Sequence, residues 1–274
     1  LVAAYAGDLR VWDLRRIREQ LRELDLDWDL PPYPPAAASP GAPVKSVEVV
    51  GHPLGLHPRP YLVRADGAAR RGDWQAAAAD YRQALQLDPS NHVTWHDASV
   101  LLLQSGDIDG YRWVCREMLS RFGRTDAANI AERTVKTCCL APGGLDDYKP
   151  VLALADRTVS GSENSADYRW FLLARGMADY WTGDFARAAD WLRRSLSPGR
   201  ELPIRDCLAH LFLAMVHYRL GRTNEARLAL AQARLMGERI ALINASDIEN
   251  WPDTLRFHIA RREAEELLGN TSDQ

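Results

Sequence analysis

The chain has 274 residues, of which 46% are hydrophobic and 26% charged, and a formal net charge of −3. That is enough apolar material for one elongated domain or two compact ones. The faintly acidic balance gives no argument for wrapping nucleic acid, which needs a clustered positive surface. No apolar run is long enough to span a bilayer, and the first residues lack the charged start and apolar stretch of a signal peptide. Cys115, Cys138, Cys139 and Cys207 have no spacing of a disulfide framework. The vicinal pair sits in an apolar stretch and reads as reduced, buried thiols, which points to a reducing, cytoplasmic setting. The chain starts at Leu1 rather than Met, as a piece of a longer protein would.

Residues 1–30 read as a strand followed by a helix. "GDLRVWDL" (7–14) is a short alternating strand that ends near Trp12. Leu14, Ile17, Leu21 and Leu24 then recur at helical spacing, with Asp13 placed as N-cap. Residues 31–57 form a linker, opening with "PPYPPAAASPGAP" (31–43), because proline removes amide donors and holds its neighbours extended. "VKSVEVVG" (44–51) within it is a candidate short strand.

From 58 to 270 the pattern is helical and repeats. Gly72 and Gly106, each followed by Asp, lie 34 residues apart; Gly183 and Gly221 are separated by 38. The 77 residues between Gly106 and Gly183 leave room for an irregular unit over 126–161. In each unit a helix ends at a glycine able to turn left-handed, and Asp or Thr starts the next helix. Small residues face one another at mid-helix (Ala65 with Ala77, Gly176 with Ala188, Ala214 with Ala226), which lets antiparallel helices approach closely. A single hairpin cannot bury its apolar face, so the hairpins must stack.

These features resemble tetratricopeptide repeats: the early aromatic or Leu, the small mid-helix residue, the Gly-Asp-aromatic turn, and the closing "LDP" at Leu87–Pro89. Residues 61–89 and 210–234 match best and 172–196 well. In 95–123, Tyr111 replaces a small residue, and 126–161 departs most. The resemblance implies an all-α, TPR-like α-solenoid of about ten repeat helices with a short N-terminal strand-helix remnant. "WPDTLRFHIARREAEELL" (251–268) would close it as a capping helix N-capped by Asp253. "GDLRVWDL" resembles the last strand of a WD-repeat propeller blade. The order of segments resembles the C-terminal part of planctomycete WD-repeat proteins, many of which carry a serine/threonine kinase domain. A missing N-terminal propeller would then be a partner in cis.

No kinase glycine-rich loop, His-Arg-Asp loop or Asp-Phe-Gly occurs, so kinase chemistry is not in this chain. His92 with His96, and His210 with His217, share helix faces, but no third ligand accompanies either pair. Asp146-Asp147 and Glu263, Glu265 and Glu266 read as solvated helix ends. Arg15, Arg16, Arg18 and Arg22 make a basic helix face, read as solvated or turned to the propeller. No catalytic residue, metal or cofactor is expected. The resemblance instead implies a concave groove for a protein or peptide partner. Its candidate lining is Trp170, Leu173, Met177, Tyr180 and Trp181, continued by Leu208, Leu211, Met215 and Tyr218. The carboxylate clamp of some family members is incomplete: Arg59 and Arg70 remain, but Leu62 and Asp66 break the set. The expected role is a non-catalytic interaction scaffold. The alternatives are a structural terminus that buttresses a propeller, and an inert regulatory tail of a kinase.

Overall fold

The computed structural model describes residues 2–5, 8–11, 14–23, 31, 57–196, 203–244 and 251–269. Two units are distinct, Leu1–Val50 and Gly51–Gln274. In the first, β1 (Val2–Tyr5) pairs antiparallel with β2 (Asp8–Val11), Val2 opposite Val11 and Tyr5 opposite Asp8. The expected single strand is therefore half of a hairpin. The helix α1 (Leu14–Glu23) follows, and Arg18 Nη1 donates to the Pro31 carbonyl at 2.8 Å. The expected N-cap Asp13 and the strand over 44–51 lie outside the described residues.

The second unit is built of helical hairpins. They pair α2 (Arg59–Arg70) with α3 (Trp74–Leu87), α4 (His92–Gln104) with α5 (Ile108–Phe122), and α6 (Ala128–Cys138) with α7 (Lys149–Val159). The last two pair α8 (Tyr168–Thr182) with α9 (Phe185–Ser195), and α10 (Pro203–Arg219) with α11 (Thr223–Asn244). Three of the hairpin turns, those of α2–α3, α4–α5 and α8–α9, do two jobs in two residues. Gly183 adopts φ 85° and closes α8; the next amide, Asp184 N, reaches back to the Asp179 carbonyl. That bond is the signature of a left-handed helix stop. The Asp184 carboxylate then accepts from Arg187 N at 3.1 Å and caps α9. Asp73 and Asp107 cap α3 and α5 in the same way, after Gly72 and Gly106.

Small residues set the spacing inside the hairpins. Ala65, Ala77, Ala188, Ala214 and Ala226 are all completely buried. A Cβ added at Gly176 would stand 2.6 Å from Leu192 Cγ, so α8 and α9 touch there almost backbone to side chain. Tyr111, the large residue where a small one was expected, lies in the irregular hairpin's gap. It is fully buried, and its hydroxyl donates to the Thr137 carbonyl (2.8 Å) and accepts from Ala141 N (3.3 Å). It thereby ties off the C-terminal end of α6, whose last carbonyls have no partner within the helix.

The hairpins stack with their first helices side by side: α4 on α6, α6 on α8, α8 on α10. One hydrophobic core runs continuously from α2 to α12 (Trp251–Gly269). The described helices of this unit form a TPR-like α-solenoid. The last helix does not only cap the stack: α12 packs on α10 and α11 and also on α4, near the opposite end. A wall that brings α4 and α10 to the same helix must bend around it.

Candidate functional site

Beside α12, the wall of first helices holds a pocket of about 380 Å³. The helix α4 contributes Val93, His96 and Asp97; α6 contributes Asn129, Glu132, Arg133 and Lys136. Trp170 and Phe171 come from α8, and Pro252, Asp253 and Arg256 from the first turns of α12. On α6 the positions 129, 133 and 136 fall on one face by helical periodicity.

The pocket is lined with paired charge. Lys136 Nζ lies 2.7 Å from Glu132 Oε1 and 4.0 Å from the centre of the Trp170 ring, so the indole face closes over a cation. Arg133 Nη1 is 2.8 Å from His92 Nε2. An arginine only donates, so that nitrogen must be the unprotonated one. Burial, then the Arg133 charge, lowers the His92 pKa. His96 is buried with Nδ1 2.7 Å from Thr137 Oγ1, and burial first of all pushes its pKa well down, so it is neutral.

Arg256 is a buried charge. Its Nη2 donates to Asp97 Oδ1 at 2.6 Å and to the His96 carbonyl at 3.3 Å; its Nη1 donates to Asp253 Oδ1 at 2.8 Å. Burial alone disfavours a guanidinium, and the two carboxylates more than offset it, holding the pKa above its ordinary value. Burial pushes the Asp97 carboxyl up, against the pull of Arg256. Asp253 was expected as the N-cap of the last helix. The helix begins two residues earlier, at Trp251, and Asp253 serves as a salt-bridge partner inside the first turn.

The expected groove lining is distributed differently from the expectation. Trp170 lines the pocket and is partly exposed. Leu173, Met177, Tyr180, Leu208, Leu211 and Met215 are buried in the core, at most 5% exposed. Their spacing was legible, but each first helix packs against its neighbours on both sides, and this stripe fills those contacts. Trp181, half-buried, donates from Nε1 to the Cys139 carbonyl at 2.8 Å and stacks on Tyr148 at 5.4 Å. It fastens α8 to the segment after α6. Tyr218 is also partly buried. Asp66, which breaks the clamp pattern, accepts from Trp251 Nε1 of α12 at 3.3 Å.

Sequence reasoning missed Asp97, Arg133, Lys136 and Arg256. The 129–133–136 spacing on α6 was a readable signal for two of them. Nothing local marks Arg256, whose partner Asp97 lies 159 residues away. The histidine pairs are separated in role: His92 and His96 face α6, while His210 and His217 border a different hollow between α9, α10 and α11. Among the described residues no group of three His, Cys, Asp or Glu is placed to hold a metal. Asp147 Oδ1 accepts from Lys149 N before α7, and Glu265 accepts from Arg234 and Arg261. Both acidic clusters therefore include structural ties.

The architecture defines a class, helical-repeat solenoids with a wall of first helices. The tetratricopeptide repeat model matches residues 58–91, the α2–α3 hairpin and the turn that follows. No curated protein matches the chain. Among solved structures, PilW, a widely conserved type IV pilus biogenesis factor, is 21% identical, covering 78% of this chain and 93% of its own, with a TM-score of 0.47. A thermophilic TPR protein of Thermus thermophilus is 15% identical, covering 74% and 98%, with a TM-score of 0.44. MamA is 15% identical, covering 67% and 93%, with a TM-score of 0.39.

Proposed function

We propose that this chain is a non-catalytic protein-interaction scaffold and that a segment of a partner polypeptide enters the pocket between α4, α6, α8 and the start of α12. The observation that carries this is the composition of that pocket. It combines a partly exposed indole (Trp170) with charged groups from three helices, α4, α6 and α12, where the wall of first helices meets the last helix. Aromatic and arginine side chains dominate binding energy at protein surfaces. Inside the pocket His96 is tied to Thr137 and Arg256 to two carboxylates, so these groups hold one another in place. The test compares partners recovered by the intact chain, by Trp170→Ala/Arg133→Glu, and by Leu228→Ser on an exposed face of α11. Loss of a partner in the first variant alone supports the reading. Equal recovery by all three overturns it.

The β1–β2 hairpin supports a second, wider reading. Two strands alone are marginal in water, and an antiparallel pair of this kind fits the outer part of a propeller blade. On that reading the solenoid is the C-terminal part of a bacterial cytoplasmic WD-repeat protein and serves as a buttress for its propeller or as the regulatory tail of a kinase. The coding sequence upstream of Leu1 tests it; a gene with no propeller-type repeats there removes it. Among the described residues no helix is long and apolar enough to cross a membrane.

A further inference from the structure

We infer that the wall beneath α12 is a helix-binding seat, that α12 is its resident ligand, and that a partner helix carrying an arginine between two aromatics takes the seat by displacing α12. This rests on the scaffold reading above and names the partner's chemistry. An end cap needs to cover only the last hairpin. The helix α12 covers α10 and α11 and then reaches α4 as well as α2, through contacts that are polar and specific. Trp251 donates to Asp66 on α2 and stands edge-on to Tyr81 at 6.0 Å and 82°. Arg256 bridges to Asp97 on α4. Phe257 fills a notch at Gly237, where even a single added carbon would collide with its ring.

The seat dictates its occupant. Asp66 and Asp97 belong to the wall, both are partly buried, and each meets the helix lying on it through a hydrogen bond, from Trp251 Nε1 and from Arg256 Nη2. A partly buried carboxylate that loses a donor is penalised, so a replacement that matches α12 brings an N–H group to Asp66, beside the hydroxyl of Tyr81, and a cation to Asp97. A helix with an indole five positions before an arginine, and an aromatic immediately after it, does both and fills the Gly237 notch. The pocket of the previous subsection adjoins this seat, because Pro252, Asp253 and Arg256 form one of its sides. A volume of about 380 Å³ accepts a side chain or two and not a helix. The additional room lies under α12, so a helix entering there competes with it.

The test uses the full chain and a fluorescent peptide of residues 251–269. The intact chain binds the peptide weakly, since its own α12 competes at an effective concentration on the order of millimolar. The full-length Trp251→Ala/Arg256→Ala variant, whose seat is untouched, binds at least about 30-fold more tightly. Equal binding by a folded variant and the intact chain overturns the inference. Hydrogen exchange on the intact chain decides the matter without any substitution. Peptide at about 1 mM, the scale of that effective concentration, should speed exchange of α12 amides while α4 stays protected. Unchanged α12 exchange overturns the inference even if the variant does not fold. If Trp170 and Arg133 govern partner capture but the peptide fails in both experiments, the seat is wrong and the scaffold reading stands. If the peptide binds while those substitutions leave capture unchanged, the pocket reading alone fails.

Discussion

Gly176→Ala tests the rule that sets helix spacing throughout the solenoid. In an isolated helix this change stabilises by about 1 kcal/mol, because alanine has the higher helix propensity. Here the new methyl would stand 2.6 Å from Leu192 Cγ, 2.9 Å from Leu192 Cδ2 and 3.3 Å from the Ala188 carbonyl. Leu192 is completely buried and its Cγ is a branch point, so it cannot swing aside as a flexible chain end would. Overpacking of this kind costs about 1–3 kcal/mol. The clash outweighs the propensity, for a net loss of about 1 kcal/mol and at most about 2, a fall in Tm of roughly 2–4 °C, and at most about 8 °C, for a unit of this size. Urea and thermal unfolding followed by circular dichroism measure it. In a Leu192→Ala background the two shortest contacts vanish, and Gly176→Ala should become neutral or stabilising. A Gly176→Ala chain more stable than the parent would refute the claim that direct α8–α9 contact sets the hairpin spacing.

Three other outcomes follow from the same geometry. Tyr111→Phe removes the hydroxyl that closes α6 and leaves the Thr137 carbonyl and the Ala141 amide short of a partner. The expected loss is about 1–2 kcal/mol, read by urea unfolding, with faster hydrogen exchange at the end of α6. Stability falls on acidification through about pH 6.5, since His96 is held neutral when folded and binds a proton when unfolded. The contribution is fully present above the unfolded pKa, and its slope is at most about 1.4 kcal/mol per pH unit per histidine. The raised carboxyls of Asp97 and Asp179 act with the opposite sign, losing stability as pH rises through their folded pKa. The comparison with His96→Gln isolates the histidine: the variant should show a shallower acid limb, and an identical limb would contradict the assignment. All four cysteines are buried. Burial raises the Cys139 thiol, contact with Cys115 and then burial raise Cys138, and burial pushes Cys207 up to about 12. A thiol reagent at neutral pH should therefore modify none in the folded chain and all four in denaturant.

The hairpins were legible because their signals are local. Gly72-Asp73, Gly106-Asp107 and Gly183-Asp184 each encode a stop and a start within two residues, and both halves of that code appear as φ angles and capping bonds. The small-residue pairs were legible for a similar reason, since the two members lie 12 residues apart in each of the three hairpins. Tyr111 shows the limit. A large residue at a small position marked 95–123 as a weaker repeat, but its role depends on carbonyls 26 and 30 residues further on.

The candidate site was legible only at Trp170. A stripe such as Leu173, Met177 and Tyr180 has the same period whether it faces a ligand or a neighbouring helix, because periodicity reports a shared face and not what covers it. By itself the sequence determined that this chain makes stacked, glycine-stopped, aspartate-capped helical hairpins; those interactions close within one or two helices. Tertiary structure alone decided that the apolar stripe is core and that α12 lies along the wall. The bonds that hold it there, Trp251 to Asp66 and Arg256 to Asp97, span 185 and 159 residues. They form only when the stack has bent enough to bring α2, α4 and α10 around one helix.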